Sequence, residues 1–214
     1  MDLGISERLA PLLAEVQGFV ADEVLPVEEE YLREVAEGDR WQFTQRQTDI
    51  MDGLKEKARS RGLWNFFLTD GEAGSGLNTV EYAYLAEEMG KSHIAAEAFN
   101  CSAPDTGNME VLHKYGSPAQ KEQWLKPLMN GDIRSAYAMT EPGVASSDAT
   151  NICTSAVLDG DVGGINGAMH LVSGAGDPRC EIMIVLVKSD PEGARQGREW
   201  RVGGATGGGG GTGG

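Results

Sequence analysis

Residues Tyr137 to Asp148 read YAMTEPGVASSD, and the fold turns on how that stretch is read. The run through Tyr137, Ala138, Met139 and Thr140 is strand-like and ends on a hydroxyl. Pro142 and Gly143 then turn the chain. Ala145, Ser146 and Ser147 are small enough for backbone amides and hydroxyls to come close to an anionic ligand such as a pyrophosphate. The strand edge offers N–H and C=O groups and one hydroxyl, a set that suits the pyrimidine side of a flavin ring. On these twelve residues alone, an ordinary strand followed by a polar turn is the better reading.

On the N-terminal side of this stretch the periodicity is helical. Ile5, Leu9, Leu12, Leu13, Val16, Phe19, Val20 and Val24 recur every three or four residues, which predicts an amphipathic helix that Pro26 ends. A second helix is expected around Ile50, Met51, Leu54 and Ala58, closing near Gly62, and a third from Asn78 or Thr79 to Gly90. Ser117, Pro118 and Gly131 suit the N-cap, first turn and exit of a further helix. The loop GEAGSG at Gly71–Gly76 matches neither GxGxxG nor GxxxxGK[ST] spacing, so it reads as a helix–helix connection.

On the C-terminal side the pattern changes to short strand-like runs: Arg134–Thr140, Ile152–Leu158, Met169–Val172 and Ile182–Val187, with turn signals between them. Gly203–Gly214 holds nine glycines in twelve residues and reads as flexible coil. The expectation is an α+β chain. Residues 1–132 form an N-terminal all-α helical domain, 133–190 a partial β middle domain resembling an incomplete antiparallel β-barrel, and 191–214 a glycine-rich disordered tail.

Composition narrows the function. A formal net charge of -15 without clustered Lys and Arg argues against a nucleic-acid partner. No apolar run reaches the roughly 20 residues of a transmembrane helix. Cys101, Cys153 and Cys180 lack CxxC spacing, and His93, His113 and His170 are far apart, so neither a disulfide framework nor a metal site is expected.

The flanking sequence is more specific than the twelve residues. LNTVEYAYLAEEMGKS at Leu77–Ser92, the APDTGNMEVL run at Ala103–Leu112 and DGDVGGINGAMHLVSGAGDPRCEIMIVLVKSD at Asp159–Asp190 lie in order around YAMTEPGVASSD. Together they resemble the acyl-CoA dehydrogenase family. The wording is nearest to the long- and branched-chain branch that in some organisms is fused to an aminoglycoside-phosphotransferase-like kinase domain. The resemblance covers the N-terminal domain and part of the middle domain, from residue 1 to about 190.

That resemblance implies FAD as cofactor, acyl-CoA as substrate, and α,β-dehydrogenation of the thioester in fatty-acid β-oxidation. It places Tyr137, Ala138, Met139, Thr140, Leu171, Val172 and Ser173 at the flavin, and Ser146 near both the FAD pyrophosphate and the acyl-CoA. The family usually has a basic residue and tryptophan where this chain has Ala168, Met169, His170 and Leu171. Its catalytic carboxylate belongs to a C-terminal four-helix domain expected to be absent here, so no catalytic residue is assigned and the chain is expected to be a C-terminally truncated fragment, inactive alone. Glu141 belongs to the signature and is expected to be structural. Leu85, Met89 and Phe99 are candidates for the acyl-chain pocket, with core packing favoured. Full-length relatives are expected to be homo-oligomers that pass electrons to an electron-transfer flavoprotein. A cytoplasmic location is expected, with a mitochondrial or peroxisomal one as the alternative. The alternative functions are a non-catalytic acyl-CoA-binding or scaffold remnant, or a same-fold flavin oxidase or monooxygenase.

Overall fold

The computed structural model describes residues 3–37, 41–69, 71, 74–146, 148–159, 162–189 and 199–205. Ser147 and residues 191–198 and 206–214, for which roles or coil were expected, lie outside them. The chain divides into two compact units between Thr106 and Gly107.

The first unit is helical. Helix α1 (Leu9–Phe19) continues through a π-helical turn at Val20–Val24 into α2 (Leu25–Glu37). Pro26 therefore does not end the helix. In the π turn the Leu25 amide bonds back five residues to the Val20 carbonyl, and Pro26 falls in the first turn of α2. A proline clashes with a carbonyl four residues back and has no N–H to donate; the widened turn just before it relieves both problems. The sequence uses the device twice, because a second π turn at Lys121–Leu125 precedes Pro127 at the same offset.

Helices α3 (Gln45–Ser60) and α4 (Thr79–Met89) each begin with a capping box, Thr44 with Gln47 and Asn78 with Glu81. A short α5 (Ala95–Ala98) follows. The core of this unit centres on Phe99, whose ring lies 5.0 Å from Phe19 and 5.7 Å from Phe66. Leu85, Met89 and Phe99 are all buried among core side chains. Lys55 and Glu97 form a largely buried ion pair at 3.0 Å, joining α3 to α5. Glu81 closes the unit near its N-terminus, accepting from Ser6 Oγ at 2.7 Å, Arg8 Nε at 2.7 Å and the Asn78 amide at 3.0 Å.

Helix α6 (Asp105–Tyr115) leads into the second unit, followed by α7 (Pro118–Gln120), the second π turn and α8 (Lys126–Asn130). Ser117 and Gln120 make the expected cap, and Gly131 ends α8 in a left-handed conformation with φ 71°. Strand β1 (Arg134–Ala138) begins where the helical pattern stops, yet the compact units divide earlier, within the first turn of α6. The reason is a buried tether. Asn108 Nδ2 of α6 donates to Ser135 Oγ at 2.8 Å and to the Ala136 carbonyl at 3.0 Å, fastening the helix to β1.

The described strands form one five-stranded sheet. β2 (Ser155–Asp159) and β3 (Val162–Asn166) make a hairpin, and β4 (Cys180–Lys188) runs through the centre. β4 is parallel to β1 and, at Lys188, to β2; it is antiparallel to β5 (Glu199–Ala205). The sheet is therefore mixed, not antiparallel as expected: the connection from β1 to β4 contains the β2–β3 hairpin and returns the chain in the direction of β1. Ile182, Ile184 and Leu186 of β4 point into the core.

Two other expectations are corrected. Met169–Val172 is not a strand, because Leu171 has a left-handed backbone with φ 53° that breaks extended pairing. Residues 199–205, expected as coil, pair with β4, since ladder hydrogen bonds need backbone groups and not side chains.

Candidate functional site

The site is the C-terminal end of β1 and the segment that runs back beside it. β1 closes at Ala138, so Met139 and Thr140 lie past its last paired residue, both half-buried. The His170 amide donates to the Thr140 carbonyl at 2.9 Å. Four residues on, Gly174 with φ 85° lies against the Ser135 carbonyl, so close that a Cβ would sit 3.0 Å from the oxygen. Residues 170–174 therefore pass antiparallel beside 135–140. The two sequence-predicted groups, Tyr137–Thr140 and Leu171–Ser173, come together.

Between these two anchors the backbone presents side chains outward. Leu171 is 83% exposed, Ser173 is exposed and Val172 is half-buried. A leucine at positive φ costs roughly 1–2 kcal/mol, and such strain persists only where the surroundings hold it. His170 contributes its backbone amide, while its residue surface is exposed.

Ser146 is not brought to the same surface. It is buried in the turn after Pro142–Gly143, its amide donating to the Val144 carbonyl at 2.9 Å and its hydroxyl oxygen accepting from the Glu141 amide at 3.2 Å. The hydroxyl retains its own proton to donate.

Sequence reasoning took Glu141 as structural but did not find its partners. The residue is 6% exposed, and its carboxylate accepts from the Cys153 amide at 2.9 Å, the Thr154 amide at 2.6 Å and the Thr154 hydroxyl. Burial pushes the carboxyl up, but the Thr154 hydroxyl and the two amides, with Lys188 nearby, outweigh it and hold the group below the usual carboxylate range. Thr154 is itself packed against Gly167, where a Cβ would lie 2.2 Å from Oγ1. A threonine beside a cysteine gives no sequence signal of this role. Asn108 was missed as well; the one available sign was a polar residue next to Met109 in a helix whose apolar positions face inward.

A helical unit leading into a mixed partial barrel matches the N-terminal and middle regions of the acyl-CoA dehydrogenase fold. The model of the acyl-CoA dehydrogenase N-terminal domain matches residues 6–132, and the chain belongs to that family of oxidoreductases. Among relatives, it is 47% identical over 197 residues to mouse Acyl-CoA dehydrogenase family member 10, an alignment covering 90% of this chain and 18% of the mouse protein. A solved Mycobacterium abscessus structure assigned to acyl-CoA dehydrogenase superposes with a TM-score of 0.87 at 48% identity, over 94% of this chain and 51% of that one. A Bacillus anthracis acyl-CoA dehydrogenase solved in complex with FAD matches with a TM-score of 0.62 at 25% identity, over 94% of this chain and 31% of that one. The chain thus spans about half the length of the mycobacterial protein and less than a fifth of the mouse protein. Among the described residues no helix is long and apolar enough to cross a membrane, and no cluster of three or more metal-ligating side chains occurs.

Proposed function

We propose that this chain supplies the flavin-binding part of an FAD-dependent acyl-CoA dehydrogenase, which oxidises acyl-CoA thioesters at the α,β position in fatty-acid β-oxidation. The observation that carries this reading is the His170–Thr140 backbone bond, which sets an exposed apolar residue, Leu171, beside hydroxyl-bearing Thr140 and Ser173. A flavin ring has apolar faces and a polar pyrimidine edge. Met139 and Leu171 suit the first, and the Thr140 and Ser173 hydroxyls suit the second.

Bound FAD supplies the acceptor for the β-hydrogen. Tyr137, Ala138, Met139 and Thr140 bind and orient the ring from the strand side, and Leu171, Val172 and Ser173 from the other. Ser146, with its remaining hydroxyl proton, holds the turn near the pyrophosphate and the acyl-CoA. Glu141 does not take the α-proton: its lone pairs are committed to Cys153 and Thr154 inside the fold. We assign the base to no residue of the flavin site; homo-oligomer contacts and the docking of an electron-transfer flavoprotein belong to the proposed activity of the whole protein, which we place in the cytoplasm.

The test is to express the chain, remove loosely held small molecules by gel filtration, and identify any chromophore released on denaturation. The expected result is yellow protein that releases FAD, with a flavin band that shifts on addition of acyl-CoA without being bleached. Colourless protein that takes up no FAD when titrated with it contradicts the reading.

A further inference from the structure

We propose that Glu141 is a positioning residue for the flavin site, closing a ring of contacts that holds both walls of the site in register. The proposal rests on the flavin reading above and deepens it. Around the ring, Thr140 is bonded through its carbonyl to the His170 amide. Three residues before His170, Gly167 lies against the side chain of Thr154. Thr154 donates through its amide and its hydroxyl to the Glu141 carboxylate, and Glu141 follows Thr140 in the chain. Two spurs leave this ring. The Glu141 amide donates to Ser146 Oγ, fixing the turn, and the Thr154 carbonyl accepts from the Lys188 amide at 2.8 Å, fixing the ring to the end of β4.

The ring explains why a carboxylate stands here. Three donors converge on it, two amides and one hydroxyl, and both oxygens accept. An ionised carboxylate is acceptor-only and satisfies all of them, whereas the amide of glutamine turns one acceptor into a donor aimed at another donor. A buried site that loses one such partner is penalised for the groups left unpaired. Removing the carboxylate therefore loosens the Ser146 turn and, through Thr154 and Gly167, the segment carrying Leu171 to Ser173. A residue that only contributed to general stability would not act selectively on these two segments.

The experiment measures amide hydrogen exchange and FAD affinity in the same proteins: wild type, Glu141→Gln, Thr154→Val and Thr154→Ser. The expected result is that Glu141→Gln speeds exchange over 141–154 and 167–174 by about tenfold or more while helices α1 and α3 keep their protection, and weakens FAD binding by about tenfold. Thr154→Ser, which keeps the hydroxyl, stays at wild-type values, and Thr154→Val falls between. If Glu141→Gln does not fold, the Thr154 pair carries the test, since Thr154→Val removes a single donor and Thr154→Ser keeps it. Unchanged exchange in the variants overturns the ring. Faster exchange with unaltered FAD affinity overturns the positioning role. Wild-type protein that binds no FAD removes the flavin reading itself, and the exchange arm then still accepts or rejects the ring.

Discussion

The His170 amide and the Thr140 carbonyl are 2.9 Å apart, and this single bond joins two segments separated by thirty positions in the sequence. Because Gly174 and Ser135 meet four to five residues further along, the two segments run side by side and not merely cross. The register between them rests on Gly174. Its φ of 85° is a conformation that side chains disfavour, and a Cβ there would sit 3.0 Å from the Ser135 carbonyl oxygen, tighter than ordinary contact.

Gly174→Ala is therefore expected to destabilise the second unit by roughly 1–2 kcal/mol. Urea unfolding followed by circular dichroism checks this, and the same variant should expose the His170 amide to faster exchange. Unaltered stability would mean that the backbone rearranges at little cost.

Asn108 gives a second measurable dependence. Replacing it with Ala removes both donors to Ser135 Oγ and the Ala136 carbonyl within a buried site, at an expected cost of about 1–3 kcal/mol. Ser135→Ala removes one partner and retains the other, and should cost less. Denaturant midpoints of the two variants, compared at constant slope, check the order.

Acid stability should depend on Glu81. The Arg8 guanidinium bonded to it, followed by the Asn78 amide and the Ser6 hydroxyl, holds its carboxyl at about 2 against an ordinary 4.5. A group depressed in the folded state stabilises the fold fully above its unfolded value, and that contribution is lost as pH falls from about 4.5 toward 2. Glu141, also held down, acts with the same sign. Arg8→Met raises the folded value of Glu81 and removes this contribution, so the urea midpoint at neutral pH should fall, the difference from wild type should shrink as pH drops from about 4.5 toward 2, and the acid-unfolding midpoint should move to higher pH. An acid midpoint identical to wild type would contradict this account of Glu81.

Local chemistry was legible where a residue acts on its own neighbours. The Ser117 cap, the Gly131 exit and the apolar run of β4 follow from neighbouring residue types, which a sequence displays directly. Pro26 misled because a π turn is a property of the preceding carbonyls and leaves no mark in residue types. Met169–Val172 misled in the other direction: its apolar composition suits a strand, but the His170–Thr140 bond and the left-handed Leu171 replace a ladder with a single contact. The signature residues around Thr140 were visible, whereas the Glu141–Thr154–Gly167 contacts depend on pairs twelve or more positions apart that no periodicity encodes.

The most direct test is a titration of the chain with FAD, followed by flavin fluorescence, for wild type and Leu171→Asp. Position 171 is 83% exposed, and aspartate tolerates the left-handed backbone better than leucine, so folding should be retained. The account predicts one saturable site in wild type and binding weakened by about tenfold or more in the variant, with thermal stability unchanged. Equal affinity in the two proteins, or no saturable uptake by wild type, would contradict it.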